Sequence, residues 1–136
     1  MGIIGGNYGE DATLVIVHPS DISEVAAEEL QSLSFKGKTI RYIASDEKTT
    51  SEVAAILGKA IGKPELPWVN FKDEDTIGGM LQAGLPENVA KNYAEMGAAM
   101  RSGAMDSDYK LNRPAVFGKT KFEAFAPVFA AVYAQS

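Results

Sequence analysis

The sequence predicts an α/β fold, with about three strands alternating with helices and then a run of helices. Three observations carry this. Short apolar or β-branched runs at residues 13–18, 39–44 and 66–71 are separated by segments of helical period. Those segments open on capping residues and close on glycine or proline. Nothing after residue 72 reads as a strand, so the order is β-α-β-α-β followed by three helices, a lopsided second layer.

The chain begins with a glycine-rich stretch, MGIIGGNYG. A phosphate-binding loop needs a strand before it and a helix after it to aim backbone amides at the anion. Here Glu10, Asp11 and then a strand follow, and Tyr8 stands where the last glycine of a G-x-x-G-x-x-G pattern belongs. The stretch reads as a flexible loop. Residues 14–17 are apolar throughout, as in a strand from the middle of a larger sheet. Pro19 ends that strand, and Asp21 with Glu24 forms a D-x-x-E capping box for a helix whose apolar face is Ile22, Val25, Ala26, Leu30 and Leu33.

Gly37 centres a turn, and TIRYIA at 39–44 is the second strand. Asp46 and Glu47 read as a solvated turn before a second capping box, Thr49 and Glu52. The helix after it carries Val53, Ile56, Leu57, Ala60 and Ile61 on one stripe and stops at Gly62 and Pro64. LPWVNF at 66–71 is the third strand, an edge strand because Pro67 lacks an amide donor, with Trp68 as its packing anchor.

Asp73 or Asp75 caps the next helix, which carries Ile77, Met80 and Leu81 and ends at Gly84. Its Gly78-Gly79 pair costs roughly 1 kcal/mol per glycine relative to alanine. Either a neighbour packs closely there or the segment moves. Pro86 opens the following helix at its first turn, with Val89, Tyr93, Met96 and Met100 along one face. After a looser stretch, Thr120 and Glu123 cap a last helix of Phe122, Phe125, Phe129, Val132 and Tyr133, which Pro127 should kink or shorten.

The 136 residues form one domain by length, and 46% hydrophobic with 23% charged residues is an ordinary globular profile. Net charge is −5 and the Lys and Arg residues are scattered, which argues against nucleic-acid binding. Without cysteine there is no disulfide, thiolate metal site or thiol nucleophile, and a single histidine leaves little from which to build a metal centre. No apolar run has the length of a membrane span and no signal peptide opens the chain, so the expected compartment is the cytoplasm.

Four blocks in order, VIVHPSDISEVAAEEL, GKTIRYIASDEKTTSEVAAILGKAIGKP, AGLPENVAKNYAEMGAAMRSG and KTKFEAFAPVFAAVYA, resemble the second half of NmrA-like proteins. These belong to the atypical and extended short-chain dehydrogenase/reductases. The resemblance implies that residues 1–136 correspond to the C-terminal, substrate-facing portion of such a protein, lacking the Rossmann half that carries the nucleotide fingerprint. It implies NAD(P) as the cofactor of the full-length family and none for this chain alone. It also implies that the strand at 39–44 joins the Rossmann sheet, and that the 18–21 block, residues 3–8, Met96 and Met100 face the cleft between the halves.

No catalytic residue emerges. A Tyr-x-x-x-Lys dyad is absent: Tyr8, Tyr42, Tyr93 and Tyr109 are followed at that spacing by Ala12, Asp46, Gly97 and Arg113. His18, the sole histidine, ends the first strand, where open α/β sheets place ligands; without a partner at motif spacing it reads as pocket lining rather than as an acid or base. Tyr93, Met96 and Met100 form a soft stripe that reads either as helical core or as the wall of a pocket. The candidate ligand-binding set is therefore Asn7, Tyr8, His18, Tyr93, Met96 and Met100.

Two functional classes lead: the substrate-binding portion of an NmrA-like reductase or redox sensor, not catalytic alone, and a stand-alone small-molecule or protein-interaction module. An independent enzyme ranks third. A strand at 39–44 without its neighbours would expose unpaired backbone groups, so the chain is expected to associate, with a second copy or with a Rossmann half.

Overall fold

A computed structural model describes residues 2–135. Four strands and six helices follow in the order β1 (Ile4–Gly6), β2 (Thr13–Ile16), α1 (Pro19–Ser32), β3 (Asp46–Thr49), α2 (Thr50–Ala60), β4 (Trp68–Asn70), α3 (Asp73–Gln82), α4 (Glu87–Arg101), α5 (Ser107–Leu111) and α6 (Phe122–Tyr133). The class is α/β, as the sequence predicts. The strands form two separate pairs: β1 lies parallel to β4, with Ile4 opposite Trp68, and β2 lies antiparallel to β3, with Ile16 opposite Asp46. The apolar centre is where α2 meets α6. Val53, Leu57 and Ala126 are buried there, and Ile4, Leu14, Ile16, Phe122 and Phe129 close around them.

Several local signals hold. Thr49 accepts the amide of Glu52 at 3.2 Å while the Glu52 carboxylate accepts the amide of Thr49 at 2.7 Å, so both halves of the capping box form. Gly62 takes the left-handed backbone (φ 73°) that ends α2. β4 pairs on one side only, in keeping with Pro67, and Trp68 packs against the ring of Tyr8.

Other expectations are corrected. Residues 39–44 are not a strand. Among the described residues, the backbone of 39–43 makes no hydrogen bond, although the β-branched pattern is present. A strand exists only where a partner supplies a ladder, and β2 pairs instead with the polar run DEKT. That run is no solvated turn. Asp46 accepts the Phe122 amide at 3.0 Å and Lys48 meets Glu123 at 2.9 Å, while Glu47 turns the other way to Tyr109 and Arg113. The alternation of a strand thus links a charged sequence to α6 on one face and to α5 and its following loop on the other. The glycine-rich start is likewise ordered as β1.

The remaining capping assignments shift by a few residues. α1 is capped by His18, whose Nδ1 accepts the amide of Ser20 at 3.2 Å, and Asp21 sits inside the first turn. Lys72 and Lys121 hold the N-cap positions of α3 and α6 without a side-chain cap bond, so Asp73, Asp75 and Thr120 do not serve there. Pro86 is the N-cap of α4, and α6 runs through Pro127 to Tyr133. The buried face of α4 is Ala90, Ala94 and Gly97, not the Tyr93-Met96-Met100 stripe. No apolar residue of α1 is buried: Leu30, and Leu33 at its C-cap, are each 69% exposed.

Candidate functional site

The parallel pair β1–β4 directs the site. In parallel sheets the chain ends at the carboxyl edge of each strand frame a crevice in which ligands bind. Here β1 runs into Asn7 and Tyr8, and β4 runs into Phe71, whose amide donates to the Gly6 carbonyl at 3.0 Å and extends the pairing. α3 and α4 cross this edge and complete a cleft of about 390 Å³. Its walls are mostly apolar: the rings of Tyr8, Phe71 and Tyr93, the Met80 thioether, and the open backbone at Gly79. Tyr93 is 47% exposed, so its ring is accessible from solvent. The phenol groups of Tyr8 and Tyr93 and the Thr76 hydroxyl supply polarity, and the single charge among the lining residues is the Asp75 carboxylate.

Asn7 holds this edge together. It is buried, and its amide nitrogen donates to the Ala94 carbonyl and to Asp73 Oδ1, both at 2.8 Å. Both of its donors are thereby used by the fold. The approach depends on Gly97, where a Cβ would lie 1.9 Å from Asn7 Oδ1. Arg101 closes the arrangement: its guanidinium donates to the Asn7 carbonyl and to both Asp73 oxygens, at 3.2 and 3.1 Å. The Asn7 amide, and after it Arg101, hold the Asp73 carboxyl below its usual range. One acidic side chain thus ties the start of α3 to the end of α4 and to the tip of β1.

The candidate residues fall in different places. Asn7, Tyr8 and Tyr93 come together in the cleft just described. Met100 lines an adjoining polar cleft of about 870 Å³ with Tyr8, Arg101, Tyr109 and Arg113. There Tyr109 donates to Glu47 at 2.7 Å, and burial, with Glu47 beside it, pushes the phenol up to about 12. Arg113 grips Glu47 through two nitrogens at 2.9 and 2.8 Å and holds that carboxyl below its usual range. Met96 is half-buried on α4 and lines none of these clefts.

His18 lies in a third cleft, of about 410 Å³, with Val17, Phe122 and Phe125. Its Nδ1 is occupied by the Ser20 amide and hydroxyl, which places the ring proton of the neutral form on Nε2. Beside it Asp21 is buried and accepts from Ser45 Oγ at 2.6 Å and from the Thr120 amide and hydroxyl at 3.1 Å each. Ser45, foremost, and Thr120 hold the Asp21 carboxyl below its usual range. These bonds fasten α1 to the loop before α6. His18 joins the group through its backbone amide on Ser45 Oγ at 2.9 Å and through the Ser20 hydroxyl, which lies 2.6 Å from Nδ1 and 3.5 Å from Thr120 Oγ1.

Sequence reasoning missed the contribution of Phe71, Thr76, Gly79 and Met80 to the cleft. The Gly78-Gly79 pair was the available signal, since a helix rarely keeps two glycines in its interior without a use.

The glycines of β1 do not fit a dinucleotide. β1 leads by a loop into another strand, so no helix N-terminus follows Gly5, Gly6 or Gly9 to meet a pyrophosphate, and Glu10 and Asp11 stand in that loop. Among the described residues no cluster of His, Asp or Glu is placed to hold a metal ion, and no helix is long and apolar enough to cross a membrane.

Neither a protein-family model nor a curated protein sequence matches the chain. Solved structures do. The triphenylmethane reductase of Citrobacter sp. complexed with NADP(H) superposes with a TM-score of 0.73 at 23% identity, over 94% of this chain and 44% of that one. An NADPH-dependent quinone oxidoreductase of Escherichia coli, complexed with NADPH, gives 0.69 at 21% identity, over 96% and 45%. The same enzyme in a second structure gives 0.69 at 22%, over 97% and 46%. The chain therefore has the fold of the C-terminal portion of these NADPH-dependent reductases and spans less than half their length.

Proposed function

We propose that this chain is the substrate-binding half of an NmrA-like, NAD(P)-dependent reductase or redox sensor, working against a nucleotide-binding half in the same polypeptide or in a separate one. The observation that carries this reading is the uncovered surface. The chain exposes 9287 Å², against roughly 6,900 Å² for a folded monomeric domain of its mass. The excess, on the order of 2,400 Å², is the size of an obligate interface. It is also apolar where it matters: Ile22 and Leu30 on α1, Leu33 just after it, Phe35, and Ile40 at 83% exposure. Beside them lies the 39–43 backbone, which makes no backbone hydrogen bond among the described residues and could accept a strand.

In this reading the cleft at the carboxyl edge of β1 and β4 takes a planar, largely apolar substrate without an acidic group, because its one charge is the Asp75 carboxylate. The nucleotide comes from the other half. The chain by itself neither binds the cofactor nor transfers hydride. Titration calorimetry with NADPH on the 136-residue chain is expected to give no saturable heat. Saturable binding at micromolar concentration would contradict the reading and return a nucleotide role to the β1 glycines.

A second reading, a stand-alone small-molecule-binding module, is favoured by one observation: Tyr8, Phe71, Met80 and Tyr93, from four segments of the chain, meet at one cleft. It predicts ligand binding without any partner and a monomeric chain.

A further inference from the structure

Glycine is among the poorest residues for a helix interior, and it is normally tolerated where a neighbour lies too close for a side chain. That cause is absent at α3. A Cβ built at Gly78 or at Gly79 meets no atom within 4 Å. No packing constraint therefore requires glycine at either position. The two differ in where they point. Asp75, Thr76, Gly79 and Met80 all line the cleft, at the i, i+1, i+4 and i+5 spacing of one helical face, and Gly78 lies off it. Gly79 is exposed and stands on that face between Asp75 and Thr76 around the helix. Any side chain there enters the space a ligand would use.

We infer that Gly79 is the specificity-determining residue of the cleft: its missing side chain leaves that wall open to a larger flat ligand, and a larger residue there narrows the cleft against it. This rests on the proposed small-molecule site and adds the residue that sets its width. Nothing in the structure explains Gly78.

The test uses two uncharged aromatic probes, 2-naphthol and phenol, whose affinities are measured by saturation-transfer NMR on the whole chain and its variants. Circular dichroism melts confirm that each variant folds. Gly79→Leu is expected to weaken 2-naphthol by about tenfold or more while phenol stays within about threefold, the range that hydrocarbon groups added to or removed from an apolar pocket produce. Gly79→Ala, which has free space for its methyl group, is expected to fold with a raised melting temperature and to weaken 2-naphthol less than leucine does. Gly78→Leu leaves both probes unchanged. If folded Gly79→Leu binds 2-naphthol as the parent does, or if Gly78→Leu weakens it equally, the inference is wrong while the cleft stands. If the parent chain binds neither probe, the small-molecule site itself is wrong and the inference falls with it.

Discussion

The side chains that hold this fold together are mostly acids gripped by distant donors. Asp21 is anchored to Ser45 and Thr120, Asp46 to the Phe122 amide, Glu47 to Tyr109 and Arg113, and Asp73 to Asn7 and Arg101. All four carboxyls are held below their usual range. A carboxyl whose value is lower when folded contributes its stabilisation above its unfolded value, near 4, and loses it as pH falls through the folded value. The melting temperature is therefore expected to fall progressively as pH drops below about 4. Asp21→Asn should lower the melt at neutral pH and make the acid loss shallower, which a pH series of thermal melts reads directly. None of these roles was legible in the sequence. Asp21 reads there as a helix cap because Glu24 stands three residues on, whereas its real partners, Ser45 and Thr120, are 24 and 99 residues away. His18 takes the cap because its ring reaches the Ser20 amide first.

At the scale of elements, what could be read was what is locally determined. The Thr49–Glu52 box sits within one turn, and the start of α2 follows from it. Thr49→Ala is expected to cost about 1 kcal/mol in urea unfolding, with the midpoint shifting and the slope unchanged. The strands were legible only in part. TLVI at 13–16 and the Trp68–Asn70 segment emerge because their patterns coincide with available partners. TIRYIA carries an equally good pattern and forms no strand, since propensity cannot supply a ladder. DEKT forms one against its composition because its charges are met on both faces, by α6 and by Tyr109 with Arg113. In the same way the Tyr93-Met96-Met100 stripe looked like the inward face of α4, but the close approach of Asn7 to Gly97 turns the small residues inward instead. That rotation is what leaves Tyr93 on the cleft.

For the molecule as a whole, the apolar residues exceed the core available to them. Val53, Leu57 and Ala126 form the buried cluster, while α1 turns its apolar face to solvent and α6 exposes Val128 and Val132. Under the proposed reading, this surface is where a nucleotide-binding half would dock. The sequence anticipated association from an unpaired strand edge at 39–44. The structure replaces that edge with an unpaired, strandless segment beside an apolar helix, and the expectation of association now rests on the whole face. The most direct test is light scattering after size exclusion on the 136-residue chain at micromolar concentration. Self-association is expected, with a mass above that of the 14.5 kDa monomer. A monodisperse, cooperatively folded monomer of 14.5 kDa would contradict it.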